Sequence, residues 1–271
     1  MQQLFYSSVS APTATRRPAF GLRVLLLTCL LALGALSSAW ASHFRYGSLT
    51  WRTVQTDASK RTIQFKVSQA WRRSAYGNIA VGSTVQTDIL RFGDNLSAAV
   101  NLVVTSVDVA ADNFYGEAVI THTYPANANY TAYFSSCCRL STLANNRDGN
   151  WYVSSLVNAG TGNNSPVSTM PPVVNLATGQ TAAAFQLATN DPDGDVLTYS
   201  LATQADLGGN AFVNAPGLGV NPATGAVTFN TANAVVGTLY DAIIKVSDGK
   251  TSILVDFLIQ ITRVSAAPQF D

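Results

Sequence analysis

Asn190-Asp191-Pro192-Asp193-Gly194-Asp195, followed at once by Val196-Leu197-Thr198-Tyr199-Ser200-Leu201, is the stretch on which the reading of this chain turns. Three carboxylates at every second position, with Pro and Gly between them, form a tight turn that offers several hard oxygens to one point. Ca²⁺ wants such a set, six to eight oxygens with carboxylates among them. An ordinary polar turn is the alternative, because turns select Asp, Pro and Gly on their own account. An EF-hand is excluded by spacing: Gly194 is out of place, and the twelfth position would be Ala202.

On either side of this turn, Ala183–Ala188 and Val196–Ala202 read as strands. Ala226–Phe229 and Leu239–Val246 follow, and Val255, Phe257, Ile259 and Ile261 alternate against Asp256, Gln260 and Thr262. The first half repeats the pattern. Ile63, Phe65 and Val67 share one face of Thr62–Ser68. Further strands are expected at Gly47–Thr56, Val85–Phe92, Val100–Val109, Tyr115–Tyr124, Tyr130–Ser136 and Trp151–Val157. Thr, Val, Tyr and Phe dominate them, as pleated faces prefer, and no segment after residue 41 sustains a helical period. Many short strands at regular spacing predict an all-β chain of two consecutive β-sandwich domains.

From about Pro171 to Val264 the chain resembles the cadherin-like and dystroglycan-type β-sandwich modules of extracellular proteins. Three blocks carry the resemblance: the acidic turn with Leu197–Leu201, then Asn221-Pro222-Ala223-Thr224-Gly225-Ala226-Val227, then Gly237–Tyr240 running to Lys245-Val246-Ser247-Asp248-Gly249. The family implies an immunoglobulin-like sandwich with Ca²⁺ at Asp191, Asp193 and Asp195, joined by Asp248. Topology supplies a reason, because the loops holding Asp191–Asp195 and Asp248 would cluster at one end of such a sandwich. True cadherins differ in one respect: the stretch 159–172 here has no acidic residue, which argues against a calcium-filled domain junction. The opening Ser42-His43-Phe44-Arg45-Tyr46-Gly47 resembles the start of an uncharacterised extracellular module that precedes cadherin-like repeats.

Residues 1–41 read as a signal peptide. Arg16, Arg17 and Arg23 precede or interrupt a mostly apolar run, and Ala39-Trp40-Ala41 suits signal peptidase. An uncleaved anchor is the alternative, and no other transmembrane span is expected. The remaining chain divides into a first domain (42–160), a Gly/Asn/Pro linker (161–171) and the cadherin-like domain (172–264). Residues 265–271 are a linker or the start of a further domain. Residues 42–165 hold 10 basic and 7 acidic side chains, whereas 166–271 hold 3 and 8. Neither balance implies a nucleic-acid partner, and the acidic second half suits a cation.

Cys137 and Cys138 are adjacent, and export to an oxidising compartment favours pairing. A disulfide between neighbours would make a rigid platform, while two buried free thiols are the other reading. Trp51-Arg52 and Trp71-Arg72 interleave indole and guanidinium groups, as a glycan-binding surface would. Alternation also allows the tryptophans to face inward with the arginines outside. No hydrolase, metalloprotease or phosphate-loop motif occurs. His43 and His122 leave room for one enzymatic idea, an N-terminal copper centre. The expectation is therefore a non-enzymatic, secreted or cell-surface protein for adhesion, matrix contact or glycan binding, with an extracellular protein or glycan as partner. A polysaccharide-active enzyme or accessory protein, or a structural spacer, is the alternative.

Overall fold

The computed structural model describes residues 43–77 and 79–264. The signal segment and residues 265–271 lie outside them. Among the described residues no helix is long and apolar enough to cross a membrane. The first half contributes β1 (Phe44–Thr53), β2 (Thr62–Arg72), β3 (Thr84–Arg91), β4 (Ser97–Asp108), β5 (Asn113–Thr123), β6 (Asn129–Ser136) and β7 (Trp151–Asn158). The second half begins with β8 (Val167–Ser168), β9 (Val173–Ala177), β10 (Ala183–Gln186), β11 (Thr189–Asn190) and β12 (Thr198–Leu201). It continues with β13 (Leu218–Val220), β14 (Ala226–Phe229), β15 (Leu239–Ser247) and β16 (Ser252–Thr262). The chain is all-β, as its alternation predicts.

Strands of the first half run in the order β1-β2-β5-β4-β3-β6-β7, and the sheet then continues into the second half through β16, β15 and β12. One edge of β16 meets three strands in succession. Ser252 and Ile253 pair with β7, Val255 and Asp256 pair with β1, and Leu258–Thr262 pair in parallel with β9. The other edge pairs with β15 along its length. A single strand thus joins the two ends of the first sheet to the second half. Bringing two sheet ends to one strand removes open edges that would otherwise invite foreign pairing.

The first core is rich in aromatic rings. Phe44 stacks on Trp151 at 4.5 Å and meets Trp71 edge-on at 5.4 Å. A β-bulge explains how β1 serves two cores. Leu49 and Trp51 face the first core, so strict alternation would turn Phe44 outward; the register shift between Phe44 and Tyr46 turns it in. Tyr46 instead joins the second core, with Ala70 of β2. That core is mostly aliphatic, set between the β10-β14-β13 sheet and β9, β15 and β16, with Phe185 edge-on to Phe257 at 5.9 Å.

The stretch expected as an extended linker is anchored. Ser165 is fully buried; its N–H donates to the Trp51 carbonyl (3.0 Å), and its hydroxyl accepts from the Trp51 N–H (2.9 Å). The polar side of β16 is covered too. Asp256 is buried and receives Arg139 from the segment after β6: Nη2 donates to Oδ2 at 2.6 Å and Nη1 to Oδ1 at 3.1 Å. Arg139 Nη1 also reaches Asp241 Oδ1 at 2.9 Å. Burial, with Asp256 alongside, pushes the Asp241 carboxyl well above the usual carboxylate range, against the pull of Arg139. One guanidinium from the first half is therefore locked onto two carboxyls of the second.

Candidate metal centre and its surroundings

Asp191, Asp193 and Asp195 come together, each placing one carboxylate oxygen within 4.8 Å of the others. The turn that assembles them is local. Asp191 Oδ1 accepts from the N–H groups of Asp193 (2.8 Å) and Asp195 (3.1 Å), and Gly194 takes the positive φ of +80° that L side chains resist. Asp191 Oδ2 is buried without a hydrogen-bond partner. The Asp193 carboxylate accepts from the backbone N–H and the Nδ2 of Asn164, both at 2.7 Å. Asp195 Oδ2 accepts from Lys250 Nζ at 2.6 Å, and this bond raises the pKa of Lys250.

Asp248, expected as a fourth ligand, stands outside this cluster. Its loop lies close by, since Lys250 of the same turn reaches Asp195. Its oxygens, however, are taken up locally: Oδ1 accepts from the N–H groups of Lys250 and Thr251, Oδ2 from the Thr251 hydroxyl (2.7 Å) and Asn163 Nδ2 (3.1 Å). Burial works against its charge, yet the Thr251 and Asn163 bonds outweigh it and hold its pKa below the usual value. Asp248 fixes its own turn and docks Asn163.

Asn163 and Asn164 are the residues around the candidate site that sequence reasoning passed over. Asn163 ties to Asp248, and Asn164 ties to Asp193. Both also reach β1, where Thr53 donates its N–H to Asn164 Oδ1 (3.1 Å) and its hydroxyl to the Asn163 carbonyl (2.7 Å). The stretch thus supplies donors to both acidic loops. A cavity of about 480 Å³ opens here, lined by Asn158, Asn163, Asp193 and Lys250 among others. Asn158 Oδ1 is a second buried oxygen without a hydrogen-bond partner.

The remaining candidates separate. Trp51 and Trp71 belong to the first core, 3% and 6% exposed, because alternation turns them inward. Arg52 and Arg72 are their outward neighbours: Arg52 Nε donates to Gln64 Oε1 at 2.8 Å, and Arg72 pairs with Asp112 at 3.0 Å. The combined indole–guanidinium surface is therefore not present, and only the arginines face solvent. Cys137 and Cys138 are joined by a disulfide, with Cys137 exposed and Cys138 half-buried. Trp151, opposite Ser136 in the sheet, is a core residue, as is Tyr124 at the far end of β6, while Tyr133 stacks on Tyr152 at 4.9 Å with Arg91 over its ring. His122 lies against Phe92 and bonds Asp94 Oδ2 at 2.7 Å, which occupies its Nε2.

Residues 45–160 match the N-terminal domain of integrin beta-like proteins A–E. The chain is 36% identical over 241 residues to integrin beta-like protein A of Dictyostelium discoideum, an alignment covering 81% of this chain and 12% of that protein. That alignment takes in part of the second half, while the chain spans only a small part of the relative's length. Among solved structures, the human desmocollin-1 ectodomain aligns with 82% of this chain and 56% of its own, at 11% identity and a TM-score of 0.28. An endo-fucoidan hydrolase of glycoside hydrolase family 107 aligns with 68% of this chain and 32% of its own, at 17% identity and a TM-score of 0.25. Both scores are too low to carry an argument.

Proposed function

We propose that this chain acts outside the cell or at its surface in adhesion, contacting an extracellular protein or glycan, with Ca²⁺ held by Asp191, Asp193 and Asp195. The observation that carries the adhesion reading is the similarity to integrin beta-like protein A over 81% of the chain. Calcium is supported by the donor set: hard oxygens only, three carboxylates within 4.8 Å, and a buried Asp191 oxygen with no hydrogen-bond partner. Asp248 is left out of the ligand set because it does not converge with the other three carboxylates.

Lys250 bears on the mechanism. Its ammonium neutralises Asp195, so a divalent ion has to displace it. The ion would then strengthen a corner where the Asp193 loop, the Asp248 turn and β1 are tied through Asn163 and Asn164. Calcium thereby stiffens the junction that the two halves share.

Two measurements test the reading on the whole chain. Calcium raises the melting temperature, by the equivalent of about 2.7 kcal/mol at a hundredfold excess over Kd, and Asp191→Asn abolishes the rise. Identical melts in calcium and in EDTA would sink the metal assignment. Beads coated with the protein bind cells more than uncoated beads do; equal binding overturns the adhesion reading.

A further inference from the structure

We propose that the groove above β1 and β2, beside the acidic turn, is a binding site for an anionic saccharide; this rests on the adhesion reading above. The outward face of β1 runs from the second core into the open: Tyr46, Ser48 and Thr50 are buried, and Arg52 is exposed. Beyond the point where the second half covers that face lies a groove of about 730 Å³, within the range of small-ligand sites. Its floor is the first sheet, and Asn164, Val167 and Pro192 form its wall.

Strand register sets the chemistry of the floor. Thr50 lies opposite Lys66, which lies opposite Val119; one step along, Arg52 lies opposite Gln64. Arg52 and Lys66 are therefore diagonal neighbours on one face, roughly 7–8 Å apart at the backbone. Gln64 takes the Nε–H of Arg52, so that bond orients the guanidinium while its two Nη groups carry no hydrogen bond among the described residues. An open guanidinium fork is the group that pairs best with a carboxylate or sulfate. Lys66 is shared with Glu117 at 2.8 Å and adds less. Among the described residues no carboxylate lines the groove.

Two features favour a saccharide over an acidic peptide. Beyond Ser48 the free edge of β1 is taken by Asn163, Asn164 and Ser165, so an extended peptide finds no strand to add to. Thr56 and the Nε2 of Gln64 present hydroxyl and amide groups that match a ligand dense in hydroxyls. Val119, 63% exposed, and Pro192 offer aliphatic surface to the apolar face of a sugar ring.

Calorimetric titration of the whole chain with four probes tests this: a heparin-derived tetrasaccharide, tri-galacturonic acid, cellotetraose and hexaglutamate. The two anionic saccharides should bind, more weakly as salt rises, and the other two should not. Arg52→Gln should weaken binding at least tenfold and Lys66→Gln by less. Arg72→Gln, which removes the same charge outside the groove, should leave it unchanged. Equal loss in Arg52→Gln and Arg72→Gln, equal binding of hexaglutamate, or no binding of either anionic saccharide overturns the proposal. If coated beads bind cells while the saccharides do not bind, the groove assignment fails and adhesion stands. If the saccharides bind and the beads do not, adhesion fails and the groove stands.

Discussion

The two halves of this molecule solve the problem of a β core differently. The first uses seven long strands and large rings, with Phe44, Trp71, Trp151, Phe65 and Phe134 all buried. The second uses mainly short strands, several of only two to four residues, and relies on aliphatic side chains of β15 and β16. Short strands bury little apolar area each, so the second half depends on its final hairpin. The first half depends on that hairpin as well, since β16 joins β1 and β7. The contrast teaches that one strand is the common limit on both cores, despite their different chemistry.

Removing that strand is the most drastic way to break the comparison. A chain stopped before Ser252 should lose cooperative unfolding in both halves, followed by near-UV circular dichroism and by hydrogen exchange. Persistence of a protected first half would show that β16 is dispensable to it. Arg139→Met removes the buried cation but keeps the two carboxyls, and should cost about 3–5 kcal/mol in urea denaturation. The loss should lower protection in both halves together if the contact couples them.

A smaller effect separates the halves by pH. Asp88 sits in the first half, where burial pushes its carboxyl up to about 7, against a hydrogen bond from Gln69 Nε2 at 2.8 Å. An acid whose folded pKa lies above its unfolded value of about 3.9 is most stabilising when protonated in both states. That stability is lost as pH rises from about 4 to about 7. Asp88 alone should therefore cost the wild-type chain about 2–4 kcal/mol over that window, at 1.36 kcal/mol per pKa unit. Asp88→Asn should flatten the slope, leaving the remainder to Asp241 at the junction, which shifts in the same direction.

Much of the fold is legible in period-2 alternation. Ile63, Phe65 and Val67 predict the inward face of β2, Val255 to Ile261 predict that of β16, and Ala226–Phe229 coincides with β14. What alternation cannot carry is a second burial. Asp256 reads as the outward side of a strand, yet Arg139 covers it from more than a hundred residues away. Phe44 escapes the pattern because a bulge at Arg45 reverses the face. In the candidate site, the Asp191–Asp195 cluster is local and therefore readable. Asp248 misleads because a carboxylate spent on its own turn has the same sequence as one free to bind an ion. Asn163 and Asn164 look like linker residues because their partners lie on three different segments.

The antiparallel pairing of Gly47 with Asp256 has a mechanical consequence. Phe44 begins β1 and Thr262 ends β16, so the polypeptide enters and leaves this body at the same end. Tension applied through those two points peels neighbouring strands apart one bond after another, instead of shearing many at once. With its first and last long strands side by side and antiparallel, the body adds little length between Phe44 and Thr262, which counts against its use as a spacer.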